Sequence, residues 1–149
     1  MLKEFMSHVR SQVASNIEQF IGSSNLIEEA MRYSALAESK MIRAALVCAS
    51  GKVNNNITDK TLINLSTSIE LMHTYSLIHD DLPAMDNDDF RRGKKSSHIK
   101  YGEANAILAG DALQALSYEI ISDDSNLTSD GKIDAIKLLS SSCGKNGMV

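Results

Sequence analysis

The stretch Asp80-Asp81-Leu82-Pro83-Ala84-Met85-Asp86-Asn87-Asp88-Asp89-Phe90-Arg91-Arg92-Gly93-Lys94-Lys95 decides how the rest of the chain is read. Five aspartates fall within ten residues, and four basic residues follow within the next six. With 19 acidic residues in 149, an average ten-residue window would hold about 1.3. Two unit charges ~5 Å apart repel by roughly 3 kcal/mol at an effective dielectric near 20. A fold that gathers carboxylates this densely needs a counter-charge. Mg²⁺ suits the position: it is a hard cation that takes one or two carboxylates, keeps several waters and shares phosphate oxygens. The basic run supplies charge for the phosphates. Metal plus diphosphate is the expectation.

Working outward, the flanking segments read as helices. Leu2, Phe5, Val9, Val13, Ile17, Phe20 and Ile21 recur at three- and four-residue steps, predicting a helix that ends near Gly22. Asn25 and Glu28 form a capping pair for a second helix over Leu26 to Leu36. The third is predicted from Lys40 to Ser50, stopping at Gly51. Thr58 caps a long fourth helix with Leu62, Leu65, Ile69, Met72 and Ser76 on one face, ended by Pro83. A fifth spans Gly102 to Ser122 and carries many small residues. After the turn-rich Asp123 to Gly131, a sixth begins near Lys132. No segment alternates as a strand would, so the expectation is an all-α bundle.

Bulk properties narrow the function. The net charge of −4 argues against a nucleic-acid partner, which needs a basic face. No apolar run approaches the ~20 residues of a membrane span. The amphipathic N-terminus carries Glu4 and Glu18 and reads as neither a secretory signal nor a transit peptide. Cys48 and Cys143 lack metal or disulfide spacing. The expected compartment is the cytoplasm.

The aspartates lie at the end of the fourth helix, where the helix dipole is negative and acidic residues are disfavoured. A cation would remove both penalties. Asp80 follows His73 by seven residues, which puts both on the same side of that helix (20° short of two turns). Asp86 would face away on a continuous helix, but Pro83 breaks the ladder and can return it towards Asp80. Lys40 and Arg43, spaced i, i+3 at the start of the third helix, should face the same way and clamp a second anion.

The segment Asp80 to Asp86, followed by Arg91-Arg92-Gly93, resembles the first aspartate-rich motif of trans-prenyl diphosphate synthases. The form with four residues between aspartates is similar to that of bacterial farnesyl and plant-type geranylgeranyl diphosphate synthases. Similarity extends upstream through His73-Thr74-Tyr75-Ser76-Leu77-Ile78-His79 and downstream from His98 to Leu113. The resemblance implies an isoprenoid-synthase-type helical bundle that condenses isopentenyl diphosphate with an allylic diphosphate (dimethylallyl or geranyl diphosphate). It implies Asp80 and Asp86 as Mg²⁺ ligands with Asp81 in support, and Arg91 on the allylic diphosphate. Lys40, Arg43, His73 and Arg92 would hold isopentenyl diphosphate. Tyr75, five residues before the first aspartate, would form the floor of the product pocket and favour a C15 product.

Two departures stand out. Where the family shows Gly-Gly-Lys-Arg-x-Arg-Pro, this chain reads Glu38-Ser39-Lys40-Met41-Ile42-Arg43-Ala44. Glu38, two residues from Lys40, could weaken that anion site. Family enzymes also continue into a second aspartate-rich motif, which Asp123, Asp124 and Asp130 do not match. Residues 1–149 are therefore expected to be the N-terminal portion of an isoprenoid synthase domain, truncated before that motif. Apolar faces left open by a missing half would favour association, and a homodimer is expected. The rival readings are a terpene cyclase of the same fold class, which would not need Lys40, Arg43, His73 and Arg92, and a non-catalytic diphosphate-binding or assembly remnant. The pair His79-Asp80 also raises a metal-dependent phosphohydrolase, but no further ligands are placed for it.

Overall fold

The computed structural model describes residues 1–53 and 56–149. The helices are α1 (Leu2–Ile21), α2 (Leu26–Ala35), α3 (Ile42–Val53), α4 (Asp59–Asp80), α5 (Ser97–Tyr101), α6 (Glu103–Ser122) and α7 (Ser129–Cys143). One two-stranded antiparallel ribbon, β1 (Phe90–Arg91) with β2 (Lys94–Lys95), interrupts them. The all-α expectation holds apart from this ribbon. No helix is long and apolar enough to cross a membrane among the described residues.

Helix α1 buries Val9, Val13, Ile17 and Ile21, a four-residue stripe on one face, and ends at Gly22 with φ +69°. Asn25 caps α2 by accepting from the Glu28 amide at 2.9 Å. The reciprocal half of the predicted capping pair is different: the Glu28 carboxylate turns to the amide and hydroxyl of Ser24.

The third helix corrects the sequence reading at both ends. It starts at Ile42 and runs through Gly51 to Val53. Gly51 is no stop signal, because it serves packing against α4. A Cβ there would lie 2.1 Å from Cδ2 of Leu62, itself buried. Lys40 precedes the helix and is separated from it by Met41 at φ +44°. Lys40 and Arg43 therefore do not share a helical face by i, i+3 spacing.

Helix α4 is the centre of the fold and packs against α1, α2, α3 and α6. The single apolar face predicted for it is too narrow. Leu62 and Met72 are buried, but so are Thr67, Ser68, Leu71, Thr74 and Ile78 on other sides. A helix surrounded by neighbours needs small side chains to let them approach, and its polar atoms need partners. Both conditions are met. Ser66 Oγ donates to the Ala44 carbonyl at 3.1 Å, Ser68 Oγ to the Ser117 carbonyl at 2.6 Å, and Thr67 Oγ1 to the Ile63 carbonyl at 2.8 Å. Thr58 Oγ1 caps the start by accepting from the Thr61 amide at 3.2 Å.

The α6–α7 corner is held by a buried carboxylate. Asp124, 4% exposed, accepts from Asn64 Nδ2 at 2.9 Å, Thr61 Oγ1 at 3.2 Å and the Asn126 amide at 2.8 Å. Burial alone would raise its pKa, but these hydrogen bonds outweigh it and hold the group below the usual carboxylate range. A lowered folded-state pKa stabilises the fold above the unfolded value. That contribution is lost as pH falls through the folded value. Asp124→Ala leaves Asn64 and Thr61 without this acceptor and is expected to cost about 2–4 kcal/mol. The loss should appear in urea unfolding at pH 7 and shrink at pH 3; a pH-independent difference would contradict it. Helix α7 starts three residues before the expected Lys132, because Thr128 Oγ1 accepts from the Gly131 amide at 3.1 Å and caps it.

Candidate active site: an aspartate loop, an arginine ribbon and a cation-lined cleft

Asp80 is the last residue of α4, and Asp81 is its C-cap. Pro83 cannot continue the helix, and the chain turns back on itself. The Met85 and Asn87 amides both donate to the Leu82 carbonyl, at 2.9 and 3.1 Å. The Asp86 amide donates to the Asp80 carbonyl at 2.8 Å. The main chains of Asp80 and Asp86 are therefore joined across a six-residue turn. Asp80 is half-buried; Asp86, Asp88 and Asp89 are exposed.

Asp81 has a different fate. It is 3% exposed and accepts from Arg91 Nε at 3.0 and 3.3 Å and from Arg91 Nη2. This charge-assisted fork raises the Arg91 pKa further, with the Asp81 hydrogen bond as the chief cause. Asp81, expected to support a metal, is engaged in holding Arg91. Arg91 Nη2 also lies 3.6 Å from Asp88.

Arg91 and Arg92 sit on a ribbon that the sequence reading missed. Phe90 pairs with Lys95 and Arg91 with Lys94, so Arg92 and Gly93 are the two turn residues. Their φ values of +54° and +76° are both left-handed, as a two-residue hairpin turn of type I′ requires. The legible signal is Arg-Gly between the short flanks Phe90-Arg91 and Lys94-Lys95, which is weaker than the usual Asn-Gly. A ribbon this short is marginal alone, and Tyr33 braces it. Tyr33 Oη donates to the Lys95 carbonyl at 2.8 Å, and Lys100 Nζ stands 3.8 Å from the Tyr33 ring centroid.

On the far side of Arg92 opens a cleft of about 320 Å³. Lys40, Arg43, His73 and Arg92 all line it, together with Glu38 and Glu70. Four of the five predicted substrate residues thus share one wall, although they come from three separate segments. Among the described residues, none of Lys40, Arg43 and Arg92 has a carboxylate within 4 Å. Glu70 is buried, and its Oε1 accepts from the Ala44 amide at 3.0 Å, tying α4 to the start of α3.

Burial pushes the His73 imidazole down to about 4, with the charges of Arg43, Arg92 and Arg91 adding to it. His73 is therefore neutral at pH 7. The unfolded chain takes up this proton near pH 6.5, so the stability it contributes is complete above that value and fades as pH falls towards 4. An anion in the cleft would offset the arginines. The His73 NMR titration midpoint should lie near 4 in the free protein and rise with bound pyrophosphate. A free-protein midpoint near 6.5 would mean that the ring is neither buried nor set among these cations.

Tyr75 lies one and a half turns before Asp80 on α4, half-buried against the core. Its ring meets His79 edge-on at 4.9 Å and 79°. His79 Nε2 in turn lies 3.2 Å from the Ile107 carbonyl and 3.8 Å from Asp111. Gly110 permits this approach: a Cβ there would lie 2.3 Å from His79 Nε2. His79 thus joins α4 to α6, a structural use that sequence reading did not assign.

No group of three or more His, Cys, Asp or Glu side chains is placed to hold a metal among the described residues. Mg²⁺ does not need one, since it is bound through one or two carboxylates with water and phosphate oxygens. Asp80 and Asp86, hard oxygen donors on joined backbone, suit that mode. A buried all-protein cage for Ca²⁺ or Zn²⁺ has no counterpart among the described residues.

The site as a whole is a helical bundle with a folded-back aspartate loop beside a cation-lined cleft. A sequence model of the family described as "Polyprenyl synthetase" matches residues 24–146, and the chain belongs to that family. Farnesyl diphosphate synthase of Buchnera aphidicola subsp. Acyrthosiphon pisum is 42% identical over 99% of this chain and 53% of its own length. That of Escherichia coli is 49% identical over 82% of this chain and 41% of its own. The crystal structure of a FPP/GFPP synthase from Zymomonas mobilis superposes with a TM-score of 0.93 at 38% identity, covering 99% of this chain and 54% of that one. The chain spans about half the length of the curated relatives it matches.

Proposed function

We propose that this chain is the N-terminal part of an isoprenoid synthase domain whose reaction is head-to-tail prenyl transfer, most simply to C15. The carbon–oxygen bond of an allylic diphosphate breaks, the double bond of isopentenyl diphosphate attacks the freed carbon, and a proton leaves. The observation that carries this reading is the convergence of Lys40, Arg43, His73 and Arg92 on one cleft. That cleft adjoins the ribbon whose other arginine faces the aspartate loop. Two anion sites joined by Arg91-Arg92 fit two diphosphate substrates.

Asp80 and Asp86 would hold Mg²⁺, which when bound supplies charge neutralisation for the departing diphosphate. Arg91, held in place by Asp81, offers its remaining donors to the same diphosphate. Lys40, Arg43 and Arg92 bind the second diphosphate, and neutral His73 gives it a hydrogen bond without adding charge. Tyr75 limits the length of hydrocarbon along α4. A homodimer in the cytoplasm is the setting proposed for the whole enzyme.

A terpene cyclase has one diphosphate to bind and no use for the second cleft, so the cleft favours the transferase. The test is condensation of labelled isopentenyl diphosphate with dimethylallyl and geranyl diphosphate, with and without Mg²⁺. It is run on this chain and on a form extended to the length of its relatives. Metal-dependent C10 or C15 product from the extended form supports the proposal. Product formed equally without isopentenyl diphosphate would favour the cyclase. Diphosphate binding with no turnover in either form would favour a binding remnant.

A further inference from the structure

Two carboxylates line the cation cleft, and they are not equivalent. Glu70 is buried, and its charge is met by the Ala44 amide at the start of α3. Glu38 is exposed and lines the same cleft as Lys40, Arg43 and Arg92. Among the described residues it has neither an ion-pair partner within 4 Å nor a side-chain hydrogen bond. A free carboxylate on the wall of an anion site opposes every anion that enters.

We infer that Glu38 sets the affinity of this cleft, acting as a built-in competitor that weakens diphosphate binding. The inference rests on the reading of the cleft as a diphosphate site. With His73 neutral at pH 7, the three cations face two carboxylates, and Glu38 cancels one of the two positive charges that Glu70 leaves. Its side chain sits ahead of Met41, outside the helix, so exchanging it disturbs no helical hydrogen bond.

The experiment is calorimetric titration of inorganic pyrophosphate, without metal, into the wild-type chain and the variants Glu38→Gln, Glu38→Gly and Arg43→Gln. Removing one unit charge from the wall of a solvent-open site should tighten binding roughly three- to tenfold. Glu38→Gln and Glu38→Gly should gain alike, because the effect is charge and not shape. The gain should vanish in ~1 M salt, where the Debye length is about 3 Å. A misfolded variant cannot give tighter, salt-sensitive binding. Unchanged affinity in both Glu38 variants, with Arg43→Gln still weakening binding, would overturn the role of Glu38 while leaving the anion site intact. No pyrophosphate binding by wild type, or no loss in Arg43→Gln, would instead overturn the reading of the cleft itself.

Discussion

Asp80→Ala is expected to reduce metal-dependent prenyl transfer at least a thousandfold in any active form of the protein, with the fold intact. Asp80 ends α4, is only half-buried, and has no ion-pair partner within 4 Å among the described residues. Its removal leaves no orphaned charge, and the backbone bond from the Asp86 amide to its carbonyl survives the substitution. What is lost is one of two carboxylates proposed for Mg²⁺, at the position where negative charge develops on the leaving diphosphate. Stabilisation of such charge in a preorganised site commonly accounts for several kcal/mol of the barrier. The change should fall on kcat and on the magnesium dependence, while thermal unfolding moves little. Asp86→Ala should behave in the same way, and the pair should be far from additive, because either loss disables the same ion. Turnover within tenfold of wild type in Asp80→Ala would remove Asp80 from the metal site.

The long, strongly patterned features were legible in the sequence. The α1 stripe, the Asn25 and Thr58 caps and the arrest of α4 before Pro83 each depend on local chemistry, and the structure bears them out. Two of the misreadings arise where tertiary packing overrode a local signal, and the third from a local cap that was not recognised. Gly51 reads as a terminator, yet its missing side chain makes room for Leu62 on another helix. The apolar spacing of α4 suggests one buried face, whereas the helix is enclosed and buries serines and threonines through bonds to neighbouring carbonyls. Gly131 reads as part of a turn, but the Thr128 hydroxyl commits it to the first turn of α7.

The candidate site divides along the same line. The aspartates and the basic run declare themselves by charge density alone. Lys40 and Arg43 do lie on one cleft, but not through helical spacing. The turn at Met41 and the neighbouring α4 place them there. The distinct roles of Asp80 and Asp81 could not be read from adjacent identical residues. They differ because the C-cap position points Asp81 inward to a ribbon ten residues later.

That difference leads to the second large effect. Asp81→Ala should destabilise the fold and weaken binding of the allylic substrate through Arg91, rather than through the metal. Breaking a fully buried ion pair costs about 3–5 kcal/mol, since the remaining charge stays desolvated. Here the Arg91 side chain keeps 35% of its exposure, so water can recover part of the loss. About 2–3 kcal/mol is the corresponding expectation. Asp81→Asn should do better than alanine, because an amide oxygen still accepts one of the Arg91 bonds. The allylic KM should rise in both variants, with the magnesium dependence close to wild type, if Asp81 serves to hold Arg91. A double-mutant cycle with Arg91→Leu separates the possibilities. If the two residues act as a pair, removing the second after the first should cost little, giving a coupling energy well above the ~0.5 kcal/mol seen for independent sites. Additive losses, or a magnesium requirement shifted as strongly as in Asp80→Ala, would return Asp81 to the metal and leave Arg91 without its anchor.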